Sequence, residues 1–528
     1  MSNKIPEHTV LIDKDKTSPS IDFPTVFNVA VAFIDRHVKE GRGDNSALRT
    51  IAGDVTYSQL ADNVARCGNA LRDLGLQRGD RLLMVVRDTP MFFYVFWGAI
   101  KAGIVPVAVN TFLKTTEYEY LIDDSGCAAT VYSSELADVF AGTQTMRRLL
   151  PTDIINGMMA TKSNVLLPEP TSPTDDCFWL YSSGSTGKPK GVVHRHRDMV
   201  VTSVFYGAGI AGLQSNDVVF CASKLFFSYG FGGGMTFPLW AGATTVLCEE
   251  RSSADMAFAM IERFRPTYYF GVPTLYGQQL IALETNHHDL SSIRGASSAG
   301  EALPAHIFLK WKEKTGITIL DGIGSTEVLH IFVSNRFDDV RPGASGRPVP
   351  GYEAKIVDND GVELPQGEIG MLWVKGDSNA RCYWNNPEKT DSTMRGEWLN
   401  TGDMYYVDID GYFVNTGRGD DMLKVGGMWC SPLEIEGQLL SHPKVREAAV
   451  VAQPDSDGLI KPLAYVVLKN PLDACPATID ELTQHCKSGL AGYKYPRWFT
   501  FIDDLPKTVT GKIQRFRLRQ SDHIATGV

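Results

Sequence analysis

The sequence contains no Cys-x-x-Cys pair; its nine cysteines are scattered through 528 residues. An odd, dispersed set argues against a disulfide framework or a spaced thiolate metal site, and suits reduced thiols packed as small apolar side chains. Basic residues are in deficit, 51 Lys and Arg against 61 Asp and Glu, for a formal net charge of −10. A polyanionic nucleic acid is therefore not expected as a general partner, because neutralising its phosphates needs clustered cations. A few local amides and cations can still hold one phosphate chain. The opening residues Met1 to His8 lack the apolar core of a secretory signal, so the expected location is the cytoplasm. One long uncharged run, Leu225 to Cys248, raises the question of membrane insertion. Gly230, Gly232, Gly233, Gly234, Pro238 and Gly242 interrupt it, which predicts a loop and strand in place of a spanning helix. No internal repeat or low-complexity block is present.

What the chain does contain is alternation. Apolar spacing from Ala61 to Leu74 predicts a helix that stops at Gly75, followed by a strand over Arg81–Val86. Pro90 to Lys101 predicts a buried helix, and Gly103 to Val109 another strand. A second block from Asp176 to Asp321 repeats the pattern, with strands at Cys177–Tyr181, Val218–Cys221 and Thr244–Cys248. Beyond Gly343 the pattern shortens to β segments such as Tyr352–Val357 and Gly370–Lys375. From Gly417 it changes again: a polar joint, a helix near Pro432–Leu440, a strand at Ala448–Ala452 and a last α/β unit. The expected architecture is α/β: two α/β subdomains and a small β subdomain in residues 1–419, then a small mobile α+β domain in 421–528.

The strongest local signal is Tyr181-Ser-Ser-Gly-Ser-Thr-Gly-Lys-Pro-Lys-Gly191. Its glycines admit backbone conformations closed to other residues, its hydroxyls donate, and Lys188 and Lys190 bring charge. Such a loop can turn its N–H groups toward phosphate oxygens. It is not a Walker A loop, since Pro189 stands where that motif needs Ser or Thr.

The order of residues in this loop resembles the signature of the adenylate-forming enzymes: acyl-CoA synthetases, luciferases and peptide-synthetase adenylation domains. Asp321-Gly-Ile-Gly-Ser-Thr-Glu327, Tyr383-Trp-Asn-Asn-Pro387, Trp398-Leu-Asn-Thr-Gly-Asp403, Gly417-Arg-Gly-Asp-Asp-Met-Leu-Lys424 and Pro506-Lys-Thr-Val-Thr-Gly-Lys512 follow in the family's order. The resemblance implies a two-step reaction using ATP, Mg²⁺ and coenzyme A. It implies that Ser182, Ser183, Gly184, Ser185, Thr186, Gly187 and Lys190 cradle the β- and γ-phosphates. Thr326 would bond the α-phosphate and Glu327 would coordinate Mg²⁺. Asp403 and Arg418 would hold the ribose. Ala299, Gly300 and Glu301, with Asp321, Gly322 and Ile323, would form the adenine slot; many relatives carry an aromatic residue where Ile323 stands.

Lys512 is implied as the adenylation lysine, a compact cation that bridges the attacking carboxylate and the α-phosphate. Asp420 matches the hinge, and Lys424, Gly426 and Gly427 match the segment brought in for thioester formation. The segment ending at Lys512 also resembles one that lysine acetyltransferases modify in related enzymes. A homodimer is one assembly state consistent with the chain.

For the acid itself, Leu225-Phe-Phe-Ser-Tyr-Gly-Phe231 falls in the region that lines the acyl site. Phe226 and Tyr229 are candidate flat walls for a ring. Gly324, His330 and Ile331 are candidates to face the same site. Together these stretches resemble the benzoate–CoA ligase branch, with a hydroxybenzoate ligase next to it, because His330 or Tyr229 could bond a ring hydroxyl. An adenylation enzyme that loads a carrier protein would share the first step.

Overall fold

The computed structural model describes residues 5–13, 19–182, 188–419, 421–425, 428–456, 459–490, 494–507, 513–519 and 526–527. Two of the predicted helices show how local chemistry sets their bounds. The first long helix runs Tyr57–Asp73; Thr56 and Gln59 form a reciprocal capping box at its start, and Gly75 follows its end at φ +86°. The helix Pro90–Lys101 begins on a proline, which lacks the N–H that a first turn leaves unpaired. It is buried along nearly its whole length and stacks Trp97 on Phe33 at 5.2 Å.

Among the described residues two large sheets dominate. One has seven strands in the order Cys382–Tyr383, Lys190–Arg195, Asp176–Ser182, Val105–Ala108, Arg81–Val85, Ala129–Tyr132, Arg148–Pro151. The other has nine, with Gly295–Ser298, Tyr268–Gly271 and Val218–Cys221 as its parallel centre and Ile319–Gly324 beside them. Parallel strands need helical crossovers and are covered on both faces, which explains their near-continuous apolar runs. A smaller antiparallel sheet pairs Tyr352–Val357, Gly370–Gly376, Trp398–Val407 and Phe413–Arg418. From Val445 onward a further sheet is built on Val445–Pro454, Ile460–Leu468 and Trp498–Phe501, packed against the helices Pro432–Leu440 and Pro476–Gly489.

The hydrophobic packing follows the same division. One continuous core joins residues from Phe27 to Phe413. Two other clusters draw only on residues from Leu423 onward, including Ile435, Leu439, Val450, Leu482 and Phe499 in one and Tyr465, Leu505 and Leu518 in the other. Ser431 Oγ donates to the Thr416 carbonyl, tying the start of the later helix to the last strand of the β subdomain.

The uncharged run at Leu225–Cys248 departs from the expected loop. Ser228–Ala241 forms continuous helical turns, the middle ones widened to π-type spacing, before the strand Thr244–Val246. Its glycines serve close packing. A Cβ on Gly232 would lie 2.2 Å from the His330 ring, and one on Gly233 would lie 2.7 Å from Phe270. No helix among the described residues is long and apolar enough to cross a membrane. All nine cysteines are unpaired.

Candidate active site

The phosphate-loop candidate lies at the end of a hairpin in the seven-stranded sheet. Ser182 closes one strand, Lys190 opens the next, and the two are register partners. Ser183, Gly184, Ser185, Thr186 and Gly187 lie outside the described residues. Both flanks are buttressed. Tyr181 Oη donates to Asp124 Oδ2 at 2.6 Å, Trp384 Nε1 donates to the Asp124 carbonyl at 3.0 Å, and Tyr120 Oη donates to the Pro189 carbonyl at 3.0 Å. Lys188 sits over the Tyr120 ring, 4.9 Å from its centroid.

The Thr326–Glu327 turn stands close to this hairpin. Tyr383 Oη donates to Glu327 Oε1 at 2.8 Å, and Lys190 Nζ lies 4.9 Å from the centre of the same tyrosine ring. Burial lowers the Lys190 pKa from its ordinary value; Glu327 works against that shift, while Lys389 and Arg418 add to it. Lys190, Glu327, Tyr383 and Arg418 thus share one electrostatic neighbourhood, although they come from four separate stretches of chain.

Arg418 is held by a second route. It faces Asp403 across the antiparallel pair Trp398–Val407 and Phe413–Arg418, and its Nη1 donates to Asp403 Oδ1 at 3.1 Å and to the Thr401 carbonyl at 3.2 Å. Between them Gly402 adopts φ +75°, and a Cβ there would meet Arg418 Nη2 at 2.9 Å.

The adenine-slot candidates fall on neighbouring strand ends. Ser298 and Asp321 are parallel partners, so Ala299, Gly300 and Glu301 leave one strand beside Gly322 and Ile323 of the next. Asp321 is buried, its Oδ2 accepts from Leu303 N at 3.4 Å, and burial pushes its pKa up to about 8. Glu301 Oε2 accepts from Thr274 Oγ1 at 3.1 Å. Burial works to lower the Arg515 pKa and is outweighed by Glu436, with Asp421 and Glu301 adding to the rise. Arg515, on the helix Arg515–Arg519, thus lies within electrostatic reach of Glu301 in this slot.

The ring-pocket candidates separate into two groups. Tyr229 stacks on His330 at 5.5 Å and 25°, and His330 also meets the rings of Tyr206 and Phe237. His330 Nε2 lies 3.3 Å from the Tyr229 carbonyl, which makes that nitrogen the donor. Burial pushes the His330 pKa down to about 3, so the ring is neutral near pH 7. Tyr229 Oη and His330 Nδ1 are buried and have no hydrogen-bond partner among the described residues. Gly324 pairs with Ile331 at a bulge, next to this stack. Phe226 instead packs on Phe112 and Phe227.

Asp420, Gly426, Gly427 and Lys512 lie outside the described residues, as does the side chain of Lys424. The flanks of the Lys512 segment are paired: Lys507 bridges Ile513, and Gln514 N donates to the Pro506 carbonyl at 2.8 Å. Tyr383 opens the motif Tyr383-Trp-Asn-Asn-Pro387, and that position is the only sign of it in the sequence. His194 and Asp198 are buried beside the turn, and a histidine in an apolar strand carries no distinctive pattern.

Comparison with known proteins bears on this geometry. The AMP-binding enzyme family matches residues 34–384, and the AMP-binding enzyme C-terminal domain matches 434–512. This chain belongs to the AMP-binding enzyme family. Within that family it is 48% identical over 520 residues to a benzoate–CoA ligase of Thauera aromatica, covering 96% of this chain and 99% of the relative. It is 44% identical to a 4-hydroxybenzoate–CoA/benzoate–CoA ligase of Rhodopseudomonas palustris, covering 94% of each. Among solved AMP-binding enzymes, an anthranilate CoA ligase in complex with anthranoyl-AMP superposes with a TM-score of 0.90 at 41% identity, covering 94% of this chain and 98% of that one. A benzoate CoA ligase from Burkholderia xenovorans LB400 gives 0.87 at 42% identity, covering 94% and 100%.

Proposed function

We propose that the protein is an ATP-dependent, AMP-forming ligase that converts a benzoate-type aromatic acid to its CoA thioester. In the first step the carboxylate attacks the α-phosphorus of ATP, an acyl adenylate forms and pyrophosphate leaves. In the second the CoA thiol attacks the acyl carbon and AMP leaves. The observation that carries this reading is the convergence of Lys190, Glu327, Tyr383 and the Asp403–Arg418 pair beside the Ser182 strand end. The end-to-end similarity to benzoate ligases supports it.

In this reading the residues from Ser182 to Gly187, with Lys190, hold the β- and γ-phosphates, and Thr326 bonds the α-phosphate. Asp403 and Arg418 take the ribose; Ala299 to Glu301 and Asp321 to Ile323 take the adenine. Donors fixed before the reaction stabilise charge that develops on phosphate oxygens without reorganising. Glu327 suits Mg²⁺, which prefers oxygen ligands and binds through one or two carboxylates together with substrate phosphates. Its carboxylate is half-buried, and Tyr383 holds Oε1. Bound there with ATP, the ion neutralises phosphate charge.

The chain in this reading divides near residue 420, into 1–419 and 421–528. Asp420 is the hinge, Lys512 serves the first step, and Lys424, Gly426 and Gly427 serve the second. Nine unpaired thiols fit a reducing compartment such as the cytoplasm.

A ring bearing a hydroxyl is the second reading. It is favoured by Tyr229 Oη and His330 Nδ1, buried and without a partner among the described residues, since an unpaired polar group gains most from a substrate that completes it. A panel of benzoate, hydroxybenzoates, cyclohexane carboxylate and short fatty acids, compared by kcat/KM for CoA-thioester formation, tests both. The aromatic acids should lead; aliphatic acids leading would overturn the ring-pocket reading.

A further inference from the structure

Three successive carbonyls of the turn that carries Thr326 and Glu327 are each bonded from outside it. The Glu327 carbonyl accepts from Ala380 N at 2.7 Å, and the Val328 carbonyl accepts from Ser378 Oγ at 2.8 Å. The Thr326 carbonyl lies 2.8 Å from His194 Nε2. Inside the turn, Ser325 Oγ accepts from Val328 N at 3.2 Å, and Leu329 N donates to the Thr326 carbonyl at 3.1 Å. The turn closes on Leu329 at φ +73°, a conformation that a branched side chain adopts only when its surroundings hold it.

His194 differs from the other two external donors because its bond depends on a third group. Its side chain is fully buried in the strand Lys190–Arg195, and its Nδ1 lies 3.1 Å from Asp198 Oδ2, whose side chain is also fully buried. Asp198 sits in the first turn of the helix His196–Thr202; its Oδ2 accepts from Arg195 N at 2.9 Å, and Arg195 Nη2 lies 3.2 Å from Oδ1. One face of the imidazole stacks on Phe178 at 5.2 Å and 15°. The Thr326 carbonyl can only accept, so Nε2 is the donor in that bond while Nδ1 faces the Asp198 carboxyl.

We propose that His194, oriented by Asp198, is a positioning residue that fixes the Thr326–Glu327 turn for the adenylation step. This rests on the functional reading given above for Thr326 and Glu327. Outer groups that orient the residues touching a substrate or metal change affinity or rate by about 10- to 100-fold when removed.

Two substitutions separate donating from packing. His194→Phe keeps the flat ring on Phe178 and removes the donor. His194→Gln loses the ring and keeps an N–H that can reach the Thr326 carbonyl. The first should lower kcat for benzoate-dependent ATP–pyrophosphate exchange by about 10- to 100-fold. Its KM for benzoate and its rate of thioester formation from supplied benzoyl-adenylate should stay near wild type, and His194→Gln should restore most of the exchange rate. His194→Asn, whose amide is one methylene shorter, replaces the phenylalanine variant with the same expected loss if that variant does not accumulate as folded protein.

Hydrogen–deuterium exchange of the peptide over 325–334, measured without ligands, supplies a readout independent of activity. It should speed up in the donor-less variant and return toward wild type with Gln. A phenylalanine variant that matches wild type in exchange kinetics and in deuterium uptake overturns the proposal. So does a glutamine variant that loses more than the phenylalanine one. Wild-type protein that shows no pyrophosphate exchange would sink the functional reading instead, while the deuterium comparison would still decide whether His194 holds the turn.

Discussion

Tyr383 Oη donates to Glu327 Oε1 across 2.8 Å, joining a residue of the edge strand Cys382–Tyr383 to the turn beside the phosphate hairpin. The tyrosine ring also lies 4.9 Å from Lys190 Nζ, so one side chain bridges the proposed metal ligand and a proposed phosphate ligand. Removing the hydroxyl leaves a half-buried carboxylate oxygen to find another donor. Hydrogen bonds to charged groups contribute about 1.5–3 kcal/mol. Tyr383→Phe should therefore slow pyrophosphate exchange by about 10-fold or more and raise the Mg²⁺ concentration needed for half-maximal rate. A Mg²⁺ titration of the exchange rate checks both effects.

Lys512 is assigned to the first half-reaction only. Lys512→Ala should abolish adenylate formation and leave thioester formation from supplied acyl adenylate intact; equal loss of both would refute that division. Acetylation of Lys512 removes the same charge and should give the same pattern. Asp420→Pro, which restricts the backbone at the proposed hinge, should favour one orientation of the 421–528 domain and separate the two half-rates.

Much of this was legible in the sequence. The Gly75 stop and the proline start at Pro90 are local rules, and the strand after the first helix lies where periodicity put it; that helix itself begins at Tyr57, four residues before the expected Ala61, where the Thr56–Gln59 capping box starts it. The run at Ser228–Ala241 was not legible, because its glycines read as loop until the packing of His330, Phe237 and Phe270 against them is known. The same limit applies to the site. Motif order singled out Thr326 and Glu327 as candidates, whereas the partners that hold them, Tyr383, Ala380 and His194, depend on tertiary contacts 53 to 132 positions apart in the chain.

Asp321 supplies a pH signature. Its pKa lies near 8 in the fold and near 3.8 when unfolded, so between these values the folded chain binds a proton that the unfolded chain has released. That contribution to stability therefore falls as pH rises through this window and levels off above about 8. Asp88, raised by burial to about 6 against the opposing charge of Lys224, acts with the same sign lower down. Asp321→Asn should flatten the fall in Tm between about pH 6.5 and 8, a range above the Asp88 transition. Parallel slopes for the two proteins would contradict the buried, protonated carboxyl.

Tyr229 offers a test of ring recognition. Tyr229→Phe removes a buried hydroxyl that has no partner among the described residues, so benzoate turnover should change by less than about threefold. If that hydroxyl meets a ring substituent, kcat/KM for the matching hydroxybenzoate should fall by about 10-fold or more relative to benzoate. The ratio of the two specificity constants, measured in both proteins, decides the point.

The most direct test of the central claim is exchange of labelled pyrophosphate into ATP by the purified protein with Mg²⁺ and without CoA. The account predicts exchange that depends on added benzoate or a close aryl acid and is absent without acid. No exchange above background with any member of a broad panel of carboxylic acids would contradict it.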